Sequence, residues 1–333
     1  MKDKIVILHQ TVSNDALPDE KDVLNAAESI RSILDNTAFE PEIVVADAHF
    51  DFIHSLQIIK PSLVFNLVET FNGTASAATI IPEILDSLKI PFTGNSARAL
   101  YLTTDKMLTK QVLFIAGLPS PMAYTYPFFQ NFVPGSYIFK PLREDASLGI
   151  SDDSIQQVNS PEEALKYLNY FEKTFSMQFF LERFIPGREL NVSLVGGKGK
   201  PHAFHPAEII FTGNVNPYCI VDYESKWIKS SPRYQLSNRT FTFSETDRNL
   251  IQKLIRLSEE SWKCASLNGY ARIDFRVDED NNPWILELNA NPCCSPDSGL
   301  VAAASNEGLS YKELILRIIK EATHEDQKRD PSL

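Results

Sequence analysis

Apolar and polar residues alternate with a period of two in several short runs of this chain, and with a helical period in the stretches between them. The strand-like runs KIVILH, EIVVAD and LVFNLVE are separated by the helical VLNAAESIRSIL and by a second helical stretch near His54 to Ile59. Strand-helix alternation predicts an open, parallel α/β layer. A further helix is expected over about 75–88, then one more strand at IPFTGN. Residues 103–116 read as a helix with Thr103 or Thr104 as N-cap and Gly117 and Pro119 as stop signals.

A composition break follows around SPMAYTYPFFQNFVPG, after which YIFKP, the helix SPEEALKYLNYFEKTF and FFLERFIPG predict a small α+β unit. The remainder reads as strand-rich to Asn238, with GGKGK at 196–200 as a hairpin turn, and as helical over about 245–267. A final helix is expected over about 311–323, ahead of a polar, disordered tail.

Between the last two helices lies ARIDFRVDEDNNPWILELNANP, two alternating runs around the turn cluster DEDNNP. If this hairpin closes with Val277 facing Trp284, Asp274 falls opposite Glu287 and Arg272 opposite Asn289. Facing carboxylates at about 4 Å would repel by up to ~4 kcal/mol at an effective dielectric near 20, an arrangement that makes sense around a divalent cation. Oxygen ligands from Asp274, Glu287 and the Asn289 amide suit Mg²⁺. The competing reading is a solvated face on which Arg272 and Arg276 neutralise the acids.

Composition narrows the classes. The chain has 333 residues, 43% of them hydrophobic, enough for two or three cores, and a formal net charge of -11 that argues against a nucleic-acid surface. No apolar run approaches membrane-spanning length and no signal-peptide pattern is present, so a cytoplasmic location without a membrane partner is expected. Cys219, Cys264, Cys293 and Cys294 form neither a C-x-x-C pair nor a zinc set. Neither glycine-rich nucleotide fingerprint, G-x-x-x-x-G-K-[ST] or G-x-G-x-x-G, occurs. Instead, Lys106 lies in the first turn of its helix, where the dipole calls for an anion, Lys140 ends an apolar run, and Lys226 sits in DYESKW. Glu182 and Glu189 flank a Pro-Gly segment that reads, on its own, as an exposed loop with ordinary acidic residues, or else as a hinge between lobes.

ARIDF, LELNANP, DYESKW, LERFIPGREL and YIFKP, with IPFTGN, TTDKMLTKQVLFIAGLPSP and GLSYKELILRII, together resemble the ATP-grasp enzymes, specifically the D-alanine–D-alanine ligase group, over about residues 60–320. The resemblance implies an α/β ATP-grasp fold with four parts: 1–102 an N-terminal layer, 103–184 a central lobe with a lid loop, 185–323 a catalytic lobe, and 324–333 the tail. It implies an ATP-dependent carboxylate–amine ligase that makes a dipeptide or similar amide through an acyl phosphate, with ATP and two Mg²⁺ ions, Mn²⁺ being an alternative. Lys106 and Lys140 would contact phosphates; Glu182, the backbone at Phe184 and Ile185, and Glu189 would hold adenine and ribose; Lys226 would reach phosphate from a closing loop. Asp274, Glu287 and Asn289 would hold metal, Arg272 the transferring phosphoryl group, the Cys293 N–H the oxyanion, and Ser298 the second substrate's carboxylate. The partners implied are a carboxylate and an amine, both amino acids, and a second copy of the chain in a homodimer.

The sequence departs from that group at its substrate end. HQTVSNDALPDEKD replaces the Gly-Gly-Ser/Thr-x-x-Glu segment, leaving Glu20 or Asp22 as substitutes. Asn66 stands where a His-Gly pair is expected, Ala146 replaces a serine and Trp227 a tyrosine. ATP chemistry is therefore expected to be intact and the substrate pocket altered. A binding module that has lost ligation, and a phosphotransferase using the same ATP apparatus, are the alternatives.

Overall fold

The computed structural model describes residues 2–144, 147–196, 200–213 and 218–326. Ala146, the turn expected at 196–200 and the tail beyond Asp326 lie wholly or partly outside them.

The first layer runs β1 (Asp3–Gln10), α1 (Pro18–Asp35), β2 (Phe39–Ala46), α2 (Asp51–Ile59), β3 (Leu63–Asn66), α3 (Ile80–Ser87) and α4 (Ala97–Thr104). Its three strands are parallel in the order β2-β1-β3, as the strand-helix alternation predicts. Ile5 and Ile7 of β1 face α1, while Val6 and Leu8 face α2 and α3, so both sides of the strand are buried. The IPFTGN segment is not a full strand. It joins β3 only at Val64, whose N–H donates to Pro91 O and whose carbonyl accepts from Thr93 N. Pro91 has no N–H to extend the ladder, and Gly94 at φ 90° turns the chain away.

The central unit contains α5 (Lys106–Ile115), β4 (Ala123–Tyr124), β5 (Gly135–Pro141), β6 (Ile155–Val158), α6 (Pro161–Phe175) and β7 (Phe179–Arg183), its antiparallel strands ordered β4-β7-β5-β6. The expected helix over 103–116 is in fact α4 followed by α5. The break falls at Asp105, whose carboxylate accepts from Leu108 N at 3.0 Å, whereas the Thr103 hydroxyl donates back to Ala99 O within α4. Asp105, rather than either threonine, is the N-cap.

The last part comprises β8 (Arg188–Gly196), β9 (His202–Ala203), β10 (Ala207–Phe211), α7 (Tyr223–Trp227), α8 (Pro232–Leu236), β11 (Ser237–Thr240), α9 (Arg248–Cys264), β12 (Gly269–Val277), β13 (Pro283–Asn289), α10 (Gly299–Asn306) and α11 (Tyr311–Asp326). The sheet is ordered β11-β10-β8-β12-β13, with β9 beside β8. Ala271, Ile273, Phe275 and Val277 pack with α9 in one core, which leaves Arg272, Asp274 and Arg276 on the opposite face. The apolar stripe Leu314, Ile315, Ile318 and Ile319 of α11 packs on Ile5 and Ile7, so the final helix completes the core of the first layer.

The hairpin register differs from the simple one. Val277 pairs with Pro283 and Arg276 with Trp284, but Asp274 still pairs with Glu287 and Arg272 with Asn289, because a bulge between Asp274 and Phe275 leaves Leu286 unpaired. The extra residue lets Ile285 and Leu288 both enter the core while Glu287 and Asn289 face out.

Asn95 ties the first layer to this hairpin. It is buried, its amide donates to Tyr270 O at 2.9 Å and Ala290 O at 2.7 Å, and its Oδ1 accepts from Asn268 N at 2.6 Å. Asn95→Ala would leave these backbone groups without partners. It should lower unfolding stability by on the order of 3 kcal/mol, read by urea denaturation; a loss below about 1 kcal/mol would show that Asn95 is not the tie.

Candidate active site

The residues that the sequence assigned to ATP, metal and acyl transfer line one cleft of about 720 Å³. Lys106, Lys140, Glu182, Phe184, Ile185, Glu189, Lys226, Arg272, Asp274, Glu287, Asn289, Cys293 and Ser298, dispersed over almost 200 positions, are brought together by three sheets and the helix ends between them.

The floor is the outward face of β12 and β13. Arg272 forms a two-pronged pair with Asp274, Nε to Oδ1 and Nη2 to Oδ2, each at 2.6 Å. Glu287 lies 3.9 Å from Lys106 Nζ. Burial opposes its ionisation, but Lys106 and then Arg272 prevail and bring its carboxyl down to about 2. Burial pushes Asp274 up, against Arg272. Asn289 Oδ1 accepts from Asn291 N at 2.9 Å, which leaves its second lone pair for another ligand. Two adjacent carboxylates and an amide oxygen, one carboxylate firmly ionised, are a hard-oxygen donor set that fits Mg²⁺. No group of three or more His, Cys, Asp or Glu placed to hold a metal occurs among the described residues.

Opposite the floor, Lys106 opens α5 and donates to Glu144 O at 2.6 Å. Lys140 Nζ donates to Glu182 Oε1 at 2.6 Å, and Lys110 pairs with the other carboxylate oxygen. Burial works against the charge of Glu182, but Lys110 and Lys140 outweigh it and hold the carboxyl below its usual range. Glu182 is only 1% exposed. Its side chain orients two lysines at the edge of the cleft that it also lines. Lys110, one turn beyond Lys106, was missed; its i+4 spacing from Lys106 was the available signal.

The hinge after β7 also differs in detail. Phe184 N–H donates to Ser136 O at 3.0 Å and is not free for a ligand. Ile185 O accepts from Arg276 Nε at 2.9 Å, and of the Phe184 and Ile185 N–H groups only that of Ile185 has no partner among the described residues. Arg276 also reaches Glu189 at 3.2 Å, the carbonyls of Tyr218 and Cys219, and the ring of Phe184. Sequence placed Arg276 only as a neutraliser of the hairpin acids; its length carries it to the hinge instead. Burial raises the Glu189 carboxyl, opposed by Arg276.

At the other end, Cys293 Sγ donates to Asp22 Oδ2 at 2.8 Å, and the Ser295 hydroxyl donates to the same oxygen at 2.9 Å. Burial, then the charges of Glu69 and Asp22, push the Cys293 thiol well up, so it stays protonated. Ser298 caps α10, its Oγ accepting from Val301 N at 3.4 Å, and keeps its own hydrogen to donate. Of the two acids considered at the N-terminal loop, Glu20 accepts from Leu17 N at 2.8 Å and caps α1, while Asp22 faces Cys293. Asn66 does not line the cleft: it is buried, its Oδ1 accepting from Val68 N, and Glu69 takes the cleft position two residues beyond Leu67. Arg239 of β11 is a further cation missed by sequence. A Cβ on Gly299 would lie 3.6 Å from its Nη2, and burial and then the like charge of Arg272 lower its pKa. Lys226 of α7 lies 5.3 Å from the ring centre of Trp227.

These features have counterparts among known proteins. The fold is similar to a D-alanine–D-alanine ligase of Bacillus anthracis complexed with ATP, with a TM-score of 0.75 at 18% identity over 98% of this chain and 99% of that one. It is similar also to a D-Ala:D-Ser ligase of Enterococcus faecalis, with a TM-score of 0.71 at 16% identity over 97% and 100% of the two chains. In sequence, a D-alanine–D-alanine ligase of Aquifex aeolicus is 31% identical over 267 residues, 78% of this chain and 82% of that protein. The family described as D-ala D-ala ligase C-terminus matches residues 133–320, which hold the hinge, the paired carboxylates and the cap of α10. On that match across more than half its length, and on the relative from Aquifex aeolicus, the chain belongs to the D-alanine–D-alanine ligase family.

Proposed function

We propose that this protein is an ATP-dependent carboxylate–amine ligase that joins two amino acids through an acyl phosphate. The observation that carries the reading is Asp274 opposite Glu287, with Arg272 beside them and Lys106 and Lys140 across the cleft. A module that only binds nucleotide has no need of this charge arrangement, and a phosphotransferase has no need of the amine end beyond it.

In this reading Lys106, Lys140 and Lys226 hold the phosphates of ATP, the Ile185 N–H takes the adenine edge and Glu189 the ribose hydroxyls. Asp274, Glu287 and Asn289 would hold Mg²⁺, which when bound would supply neutralising positive charge to the phosphates. A carboxylate oxygen of the first substrate attacks the γ-phosphorus and ADP leaves, the negative charge of the moving group lying against Arg272. The amine of the second substrate then attacks the acyl carbon, with the Cys293 N–H directed at the oxyanion, and phosphate leaves as the amine proton passes to solvent. The Cys293 N–H makes no hydrogen bond among the described residues, which suits that task. Ser298 and the start of α10 take the second substrate's carboxylate. The units 1–102, 103–184 and 185–323 serve as the three parts of this machine.

Glu287→Gln tests the floor. It removes one charge from the cleft face without touching the core, so phosphate release should fall by 100-fold or more, about 2.7 kcal/mol, with an unchanged circular dichroism spectrum. Near-normal turnover would remove the metal assignment.

The substrate end gives a separate expectation. Trp227 lines the cleft in place of a tyrosine, and Asp22, Glu69 and protonated Cys293 line it too. An indole offers one donor where a phenol offers donor and acceptor. D-Alanine alone should therefore support weak turnover, with another amino acid preferred by about tenfold, or about 1.4 kcal/mol. Phosphate release across D- and L-amino acids, singly and in pairs, decides it; efficient, exclusive joining of two D-alanines would sink the expectation.

A further inference from the structure

Two described segments border the cleft from opposite sides of the hinge. Residues 147–154 follow β5 and contribute Ser147, Leu148 and Ile150 to the lining; residues 218–237 carry α7 and contribute Val221, Lys226 and Trp227. Among the described residues they touch in at least two polar places. The Ser147 hydroxyl donates to Val221 O at 2.9 Å. The guanidinium of Arg233 lies between Asp152 and Asp222, pairing with one carboxylate on each segment. Asp222 is 3% exposed at its side chain, and its other oxygen caps α7 by accepting from Ser225 N at 2.8 Å. The same carboxylate thus fixes the helix that carries Lys226 and receives the arginine that reaches across. Apolar contact continues the seam, with Ile220 packing on Ile138 and Ile155.

Arg233 does not line the cleft, and neither do its two partners. Touching neither nucleotide nor substrate, it acts only through the segments it joins. We propose that Arg233 is a positioning residue that clasps 147–154 to 218–237 over the bound nucleotide and keeps water from the acyl phosphate until the amine attacks. This rests on the ligase reading above. The chemistry at stake is the addition of water across the mixed anhydride, which returns the carboxylate and inorganic phosphate and consumes ATP with no amide formed. An ion pair that served stability alone would not alter the partition between those two fates. A clasp would, because the lifetime of the closed state sets how much water reaches the intermediate.

The test compares wild type with Arg233→Met, Arg233→Lys and Asp152→Asn. A mixture of D- and L-amino acids serves as donor and hydroxylamine as the amine, and both phosphate and hydroxamate are measured. AMP-PNP binding with Mg²⁺ is measured separately by calorimetry. Arg233→Met should raise the phosphate-to-hydroxamate ratio by about threefold or more and weaken AMP-PNP severalfold, with Arg233→Lys between it and wild type. An unchanged ratio and unchanged AMP-PNP affinity in Arg233→Met would overturn the clasp, as would a fall in both products by the same factor. Should Arg233→Met not fold, Asp152→Asn, on the more exposed arm, carries the same expectation and the same refutation. Wild type that forms no hydroxamate, while Arg233→Met still weakens AMP-PNP, would overturn the ligase reading and leave the clasp standing.

Discussion

Two ionisable carboxylates held on neighbouring strands, with their backs to an apolar core, repel one another, and the surrounding structure answers that repulsion. Asp274 and Glu287 face the cleft because Ile273, Phe275, Ile285 and Leu288 must face α9. Arg272 grips Asp274 with both prongs, Lys106 stands 3.9 Å from Glu287, and Lys140 lies farther along the opposite wall. At about 4 Å and an effective dielectric near 20, a contact such as that of Lys106 with Glu287 is worth ~4 kcal/mol before desolvation. The net gain is smaller, and its sign depends on what else fills the site. The floor is therefore poised for a ligand that brings both cations and anions.

The cations on the opposite wall are held by a second buried carboxylate. Glu182 sits between Lys110 and Lys140, on β7 beside the strand that carries Lys140, and its negative charge is what allows two ammonium groups to be buried together. Arg276 plays a comparable part at the hinge, joining β12 to Ile185, Glu189 and the segment at Tyr218 and Cys219. A single guanidinium thus connects the floor, the hinge and the base of the segment that Arg233 fastens. Several charges of the cleft are thus held in place by protein partners.

The end of the cleft at Cys293 follows different physics. There the lining carries Asp22, Glu69, a protonated thiol and serine hydroxyls, with Arg239 against Gly299. Short hydrogen bonds among Asp22, Cys293 and Ser295 tie the loop after β13 to α1, which joins the first layer to the floor. Under the proposed function, selection between amino acids of similar size would rest on such contacts, since one methylene contributes only about 1–3 kcal/mol of discrimination.

Periodicity over a few residues determined much of this architecture: the parallel first layer, the outward Arg272, Asp274 and Arg276, and Asp274 opposite Glu287. Each of these depends on which face of a strand a residue occupies, and that is local information. The ordered motifs from YIFKP to LELNANP likewise pointed to one cleft. The bulge at Leu286, the break at Asp105, the locking of Glu182 by Lys110, the reach of Arg276 to a carbonyl 91 residues away and the Arg233 bridge were decided only by the tertiary structure. A periodic pattern states which side of an element is buried, but the partner of a long charged side chain is chosen by which distant segment packing brings within its reach.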